Sequence, residues 1–479
     1  MHQVNIKKNR VIALRVAAYA VTITLSIITT VILLLIALGY RFNKSGDVIH
    51  SGLVLVDNKP EAAQIYINGI LEDSSSPGRF VLPIGGYELS LELDGYKGWK
   101  KNLDIKKEVV ERVDYPLLIP KKLSTETKLS IGSPQMVSQS PNNKLLVHYV
   151  AGENVLHITE LNPTQPKQTT TILPPAFTRE SDSAGSLSVI EWSQNSKKIL
   201  INQTLSNGAN KIVSFDINNP EESINISDRF AQLPPLDVHF QGSKTDIVYG
   251  LNQGSLRRYN IETGKTTTVL DGVLSYQPFS DKVVAYTRLS TQTNKVQVGV
   301  LNAEDNAVLE QFNDTNIRPV ISYGEFDQYD YLAVVTAGEK ARVYRDPLNT
   351  PILKKQIPFV RLPIESSDFI KFSPNNQYLL IRSADNYVSF DFENARQQSF
   401  KVSKQILPET LRWMNDSHLA YQSIDGQNFL IEFDGKNKMG LLPSNIGNGL
   451  YYSSDFRNAF RLHAEVSTVK LELIALTVK

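Results

Sequence analysis

One shape recurs through roughly the last 350 residues, and it limits the fold more than any other feature of the chain. An apolar strand, an aromatic, a Ser/Asn/Asp turn and a second apolar strand appear as "MVSQSPNNKLLVHYV", "LSVIEWSQNSKKILINQT", "LDVHFQGSKTDIVYGL" and "VLSYQPFSDKVVAYT". The shape returns as "VISYGEFDQYDYLAVVT", "SDFIKFSPNNQYLLIRS", "ETLRWMNDSHLAYQS" and "GLYYSSDFRNAFRLHAE". With the turns taken at Ser140, Ser193, Gln241, Ser280, Asp327, Ser373, Met414 and Asp455, successive copies lie 39 to 53 residues apart. A spacing of about 45 residues suits one four-stranded blade of a β-propeller. Outer strands are available between the anchors, as in "SLRRYNI", the turn "ETG" and "KTTTVL" after "IVYGL". The Ser and Asn side chains of the turns bond to their own backbone, and Asn accepts left-handed geometry, so two inner strands can reverse tightly.

Eight copies predict eight blades, with seven as the alternative if one copy is an irregular connection. The last copy has three strands, "GLYYSS", "AFRLHAE" and "STVKLELIAL". A fourth is available in "TETKLSI" at the start of the region, and that closure leaves no open sheet edge. Two packed β-sandwiches are the competing all-β arrangement. The repeat resembles the TolB-like and WD-repeat propellers, without the WD dipeptide, and a fold-level resemblance implies little about ligand.

The first forty residues are of another kind. From Val16 to Gly39 there is no charged residue, and those 24 residues as a helix span roughly 36 Å, enough to cross a bilayer. Thr22, Thr24, Ser26, Thr29 and Thr30 are tolerated there because hydroxyls bond back to helix carbonyls. The apolar run is longer than that of a cleaved signal peptide, and "IALGYRF" is no A-x-A-like site. Lys7, Lys8, Arg10 and Arg15 precede the run, against Arg41 and Lys44 after it. The positive-inside rule therefore predicts a single-pass signal anchor at residues 16–40, with residues 1–15 cytoplasmic and the remainder outside the cell membrane.

Between anchor and repeat, short runs of period two are separated by Gly, Pro, Asn and Asp, as an all-β unit requires. They are "GLVLV", "AQIYING", "RFVLPIG", "YELSLELDGY", "KNLDI" and "ERVDYPLLI", with hairpin-turn signals at Asn68-Gly69 and Asp94-Gly95. In this order the segment resembles the PEGA domain, a small β-sandwich of bacterial surface proteins. The namesake tetrad falls on Pro60, Glu61, Ala62 and Ala63. The following conserved pattern falls on Ile65, Tyr66, Ile67, Asn68 and Gly69, then on Gly85, Tyr87, Leu89, Gly95 and Tyr96. Ala62 stands where the tetrad has glycine. If the turn needs a positive φ there, alanine costs about 1 kcal/mol or the turn is rearranged. The resemblance implies contact with the cell surface or its polymers and brings no catalytic residues. The predicted domains are thus a PEGA-like β-domain over 47–120 and a propeller over 125–479.

Composition narrows the chemistry. With 50 basic and 49 acidic residues, no global field favours nucleic acid. The absence of cysteine excludes disulfides, thiolate metal sites and a cysteine nucleophile. The histidines, His2, His50, His148, His157, His239, His418 and His463, show no metal-ligand spacing. Only His148 and His157 fall on neighbouring strands of one blade. No nucleophile elbow, P-loop, dinucleotide fingerprint or EF-hand loop occurs. The S-x-x-K match at Ser467–Lys470 lies in an alternating strand, which points the two side chains to opposite faces. No catalytic, cofactor-binding or metal-binding residue is assigned.

Three stretches remain as candidates for binding. Lys97, Lys100, Lys101, Lys106 and Lys107, with Trp99 among them, could hold anionic wall polymer or lipid headgroups, against the alternative of a solvated face. Tyr323, Phe326, Tyr329 and Tyr331 are interleaved with three acids and could hold a sugar or peptide, against the alternative of filling between blades. The polar connection Leu173–Ser186 is long enough to be functional. The expected protein is an outward-facing binding or scaffolding protein of the bacterial envelope, its propeller engaging a protein, peptide or glycan. A propeller-type hydrolase or lyase acting on envelope glycan is the alternative.

Overall fold

A computed structural model describes residues 2–37, 40–42, 48–107, 109–179, 185–349, 357–402, 405–465 and 468–477. The chain forms two compact units, residues 1–122 and residues 123–478. The first begins with one helix, His2–Ala37, of which Arg15–Leu34 has a mean hydropathy of 2.2 and no residue buried against protein. Thr22, Thr24, Thr29 and Thr30 each donate a hydroxyl hydrogen bond to the carbonyl four residues earlier, at 2.8–2.9 Å, which hides their polarity along an apolar helix. This helix is long and apolar enough to cross a membrane.

The rest of the first unit is a β-sandwich. In one sheet Val48–Val56 pairs antiparallel with Gly78–Pro83 and with Tyr40–Phe42, and parallel with Val110–Val113. In the other the order is Ile70–Ser75, Gln64–Ile67, Gly85–Glu92 and Trp99–Ile105. Alternate residues of both sheets meet in one core containing Val54, Val56, Ile65, Ile67, Leu89, Leu91, Trp99, Leu103 and Ile105. Asn68 and Gly69, at φ 50° and 76°, make the two-residue turn that pairs Ile67 with Ile70. The tetrad alanine does take the left-handed conformation, Ala62 having φ 70°.

The second unit is an eight-bladed propeller. Seven sheets take four strands each in chain order, over residues 134–172, 186–225, 236–270, 273–312, 320–362, 369–401 and 412–440. The eighth combines Tyr451–Tyr452, Asn458–Glu465 and Thr468–Ala475 with Thr125–Ile131, whose Thr125 pairs with Ile474 and Ile131 with Val469. The ring closes through "TETKLSI", and the count is eight rather than seven. Apolar faces of neighbouring blades pack on each other, as where Tyr331, Ala333 and Val343 of blade 5 meet Leu379, Ile381 and Phe390 of blade 6.

The repeated turn has a common construction. Ser140, Ser193, Ser373 and Ser453 are buried, and each hydroxyl donates to the Asn or Asp two residues on while accepting from the backbone N–H five residues on. The residue three places after each serine has φ between 56° and 60°. The inner edge of each blade carries backbone groups without a ladder partner, and side chains of neighbouring blades satisfy several of them. Gln139 of blade 1 donates to Tyr452 O at 2.6 Å and accepts from Tyr452 N at 3.2 Å across the closure. Glu191 accepts from Phe240 N at 2.9 Å, and Gln277 from Tyr323 N at 3.0 Å.

Candidate functional site

The lysine stretch is not one patch in space. Its core is the strand Trp99–Ile105, about 23 Å long at roughly 3.3 Å per residue, which separates Lys97 from Lys106 and Lys107. The pleat also turns Lys100 and Lys101 to opposite faces. Lys100 pairs with Glu88 at 2.7 Å, and Lys101 donates to Tyr115 Oη at 2.6 Å while lying over its ring. Trp99 is 2% exposed, edge-on to Tyr115 in the sandwich core. Lys106 and Lys107 are exposed at one end of the domain.

The aromatic stretch of blade 5 is likewise divided. Tyr323 and Tyr331 are buried between blades, Tyr323 against Phe279 and Tyr331 against Phe392 at 4.2 Å between centroids, so neither can meet a partner. Phe326 is half-buried, packed against the core shared with blade 6. Tyr329, at the reversal between the first two strands, is 41% exposed. A residue outside the stretch joins it: Phe359, 40% exposed, at the end of the long connection before the fourth strand. Arg345 lies over both rings, 4.8 Å from the Tyr329 centroid and 5.1 Å from that of Phe359. Ile357, 69% exposed, stands two residues away. Among the described residues of the propeller, Tyr329 and Phe359 are the most exposed aromatics. Beside them burial, with the Glu325 and Asp346 carboxylates, holds Asp330 above its ordinary pKa.

A third cluster comes from three blades. His239, on the first strand of blade 3, has Nδ1 3.5 Å from Glu191 of blade 2 and Nε2 3.4 Å from its neighbour Asp237. Tyr276 of blade 4 meets its ring edge-on at 5.5 Å and donates to the Asp237 carbonyl. Burial alone would lower the imidazole, but hydrogen bonds to Asp237 and Glu191 override it and push His239 up to about 9. The group is therefore a fixed positive charge near neutral pH rather than a general base. Sequence reading missed this set because its members are one blade apart in the chain.

The other sequence candidates are structural where they are described. His148 and His157 are cross-strand partners with rings stacked at 4.6 Å, and burial together with His157 lowers His148 to about 4. His157 is held by Glu153 at 2.8 Å. In the connection after blade 1, Phe177 is buried and Thr178 exchanges two hydrogen bonds with Gln203, so this part is tied down; residues 180–184 lie outside the described residues. Ser467 also lies outside them, and Lys470 pairs with Glu465 at 2.6 Å. Among the described residues no group of three or more His, Asp or Glu side chains could hold a metal ion.

Residues 51–119 match the PEGA domain family, and this segment is a PEGA domain. No curated protein matches the chain. Among solved structures it is similar to the C-terminal WD40 domain of Sif2, at TM-score 0.47 and 11% identity over 74% of this chain and 99% of that one. It is also similar to BamB from Moraxella catarrhalis, at TM-score 0.42 and 10% identity over 73% and 99%. A third similarity is to PorZ, a bacterial surface component of the type-IX secretion system of Porphyromonas gingivalis, at TM-score 0.39 and 12% identity over 71% and 43%. The propeller assignment rests on the strand pairing itself.

Proposed function

We propose that this chain is a membrane-anchored scaffolding protein of the bacterial cell envelope, whose extracytoplasmic propeller binds a protein partner through the blade 5 face bearing Tyr329, Phe359 and Ile357. The observation that carries the reading is that the propeller's two exposed aromatics, among the described residues, stand together on one arginine. Aromatic and arginine side chains dominate the energetic centres of protein interfaces. The apolar helix supports the anchor, and the PEGA domain supports an envelope setting with contact to surface or wall polymer. The excess of Lys and Arg before the helix supports a cytoplasmic N-terminus.

A photo-crosslinking residue at the exposed position 357 in intact cells should capture one envelope protein. The Tyr329→Ala/Phe359→Ala pair should reduce that capture about thirtyfold, as hot-spot truncation does, with the melting temperature of the propeller unchanged. Equal capture by the double variant removes the blade 5 face from the function. Protease treatment of intact cells that leaves the propeller uncut reverses the topology.

The rival reading, a hydrolase or lyase acting on envelope glycan, draws on the convergence of Glu191 and Asp237 from two blades. It predicts turnover of cell-wall fragments that disappears in Glu191→Gln. A wild-type chain without turnover removes it.

A further inference from the structure

The PEGA sandwich has two ends, and the chain enters at one and leaves at the other. Tyr40 pairs with His50, and Ala37, the last helical residue, is three residues earlier, at most about 11 Å of chain. The His50 end of the sandwich is therefore held within about 16 Å of the helix C-terminus. Two reversals lie at that end and a third points toward it. Ile84 N–H donates to His50 O at 3.2 Å, so the bend at Ile84 closes over the first residues of the sandwich. Gly85 pairs with Ile105, which puts Lys106 and Lys107 beside the same bend. Asn68 N–H bonds to Glu88 O at 2.8 Å, so the Asn68-Gly69 turn points the same way. At the far end Tyr96 bridges to Pro120, where the chain departs.

The side chains at the near end are unusual for a soluble surface. Ile84, at the bend, is 48% exposed with Lys106 and Lys107 exposed beside it, while Ile70, 69% exposed, and Leu71, 52%, stand at the Asn68-Gly69 turn, about 13 Å further along the sheet. The far end exposes Glu61 and Asp94 together with Lys59, Lys121 and Lys122 and, among the described residues, no large apolar side chain. Apolar tips rimmed by lysine suit a phospholipid interface, where isoleucine enters the acyl boundary and the ammonium groups stay with the phosphates.

We propose that the near end of the PEGA domain is seated in the bilayer surface, with Ile84 dipped into it and Lys106 and Lys107 on anionic lipid phosphates. This rests on the reading of His2–Ala37 as a membrane anchor. It assigns the domain a second attachment that fixes its upright orientation.

The chain has no cysteine, so single labels are clean. Full-length Ile27→Cys, Ile84→Cys and Asp94→Cys, each carrying an environment-sensitive fluorophore, are reconstituted into phosphatidylglycerol-containing nanodiscs with brominated lipids. Quenching at positions 27 and 84 but not 94 is expected. Lys106→Glu/Lys107→Glu should weaken quenching at 84 severalfold in anionic nanodiscs, since each lysine near such a surface contributes about a fivefold factor. Quenching at 27 but not 84 overturns the seating and leaves the anchor. Quenching at 84 and 94 alike overturns the upright orientation. No quenching at 27 overturns the anchor reading, and the seating with it.

Discussion

Replacing Ala62 with glycine should stabilise the PEGA domain, against the usual direction for an alanine-to-glycine change. Ala62 has φ 70°, and its neighbours fix it there. Its N–H donates to Ser76 O at 3.0 Å, Ala63 N–H to Ser76 Oγ at 2.9 Å, and Ser76 N–H to Ala63 O at 2.9 Å. The left-handed conformation costs an L-residue about 1–2 kcal/mol, which glycine escapes. Glycine in turn destabilises by about 0.4–1 kcal/mol through the greater freedom of the unfolded chain. The methyl group is exposed, so its removal loses little packing. The balance is a gain of about 0.5–1 kcal/mol, or roughly twofold to fivefold slower opening. Hydrogen exchange of the Ala63 and Ser76 amides in the full-length chain, in detergent, reads that factor. Ala62→Val should shift exchange the other way, because a β-branched side chain tolerates positive φ least. Faster exchange in Ala62→Gly, with Ala62→Val indistinguishable from the parent, would refute the argument that strain resides at this φ.

Glu310→Ala should destabilise the propeller by about 3 kcal/mol, read by chemical denaturation, because Arg342 is 4% exposed and loses a bidentate partner at 2.7 Å on both arms. An unchanged midpoint would mean that Glu339, also 2.7 Å from Arg342, suffices alone. Stability should peak near pH 6.5 and fall on either side. His239, raised to about 9 when folded, favours the native state below about pH 6.5 and loses that contribution as pH rises through 9, on the order of 1–2 kcal/mol for a side chain one-third exposed. His148, lowered to about 4, favours it above about pH 6.5 and loses that as pH falls through 4. Melting curves of His239→Gln and His148→Gln should each flatten their own limb; a limb that persists in its variant assigns it elsewhere. Gln139→Leu removes both bonds to Tyr452 and should cost about 1–3 kcal/mol, with strand Thr125–Ile131 becoming the first site of limited proteolysis. Cleavage starting elsewhere would show that the closure does not depend on this amide.

The architecture was legible because it is periodic. The turn serines recur at a spacing that only a blade explains, and the surplus strand "TETKLSI" had one vacancy to fill. The PEGA segment was legible because Asn68-Gly69 and the alternating strands mark its hairpins locally. The binding residues were harder for two different reasons. Trp99, Tyr323 and Tyr331 were grouped with their sequence neighbours, whereas Trp99 lies on the core face of its strand and Tyr323 and Tyr331 lie where blades pack, leaving Tyr329 exposed at the reversal two residues before Tyr331. Arg345, from the third strand, and Phe359, from the connection before the fourth, join Tyr329, and Glu191, Asp237, His239 and Tyr276 converge across three blades. No local pattern announces such meetings. The signal that could have found the first was the rarity of an exposed aromatic.

The closing strand also sets a schedule for biosynthesis. Thr125–Ile131 is the first strand of the propeller to leave the ribosome, and its partner Thr468–Ala475 is the last. About 340 residues separate them, so at roughly 5–20 residues per second the first strand waits some 20–70 s for its partner. Its composition suits the wait: two threonines, a glutamate, a lysine and a serine in seven residues make a poor template for pairing with another chain. A nascent chain cut short anywhere in the ring leaves that strand and the last finished blade both open. Completion of the ring is thereby tested by its first and last strands meeting.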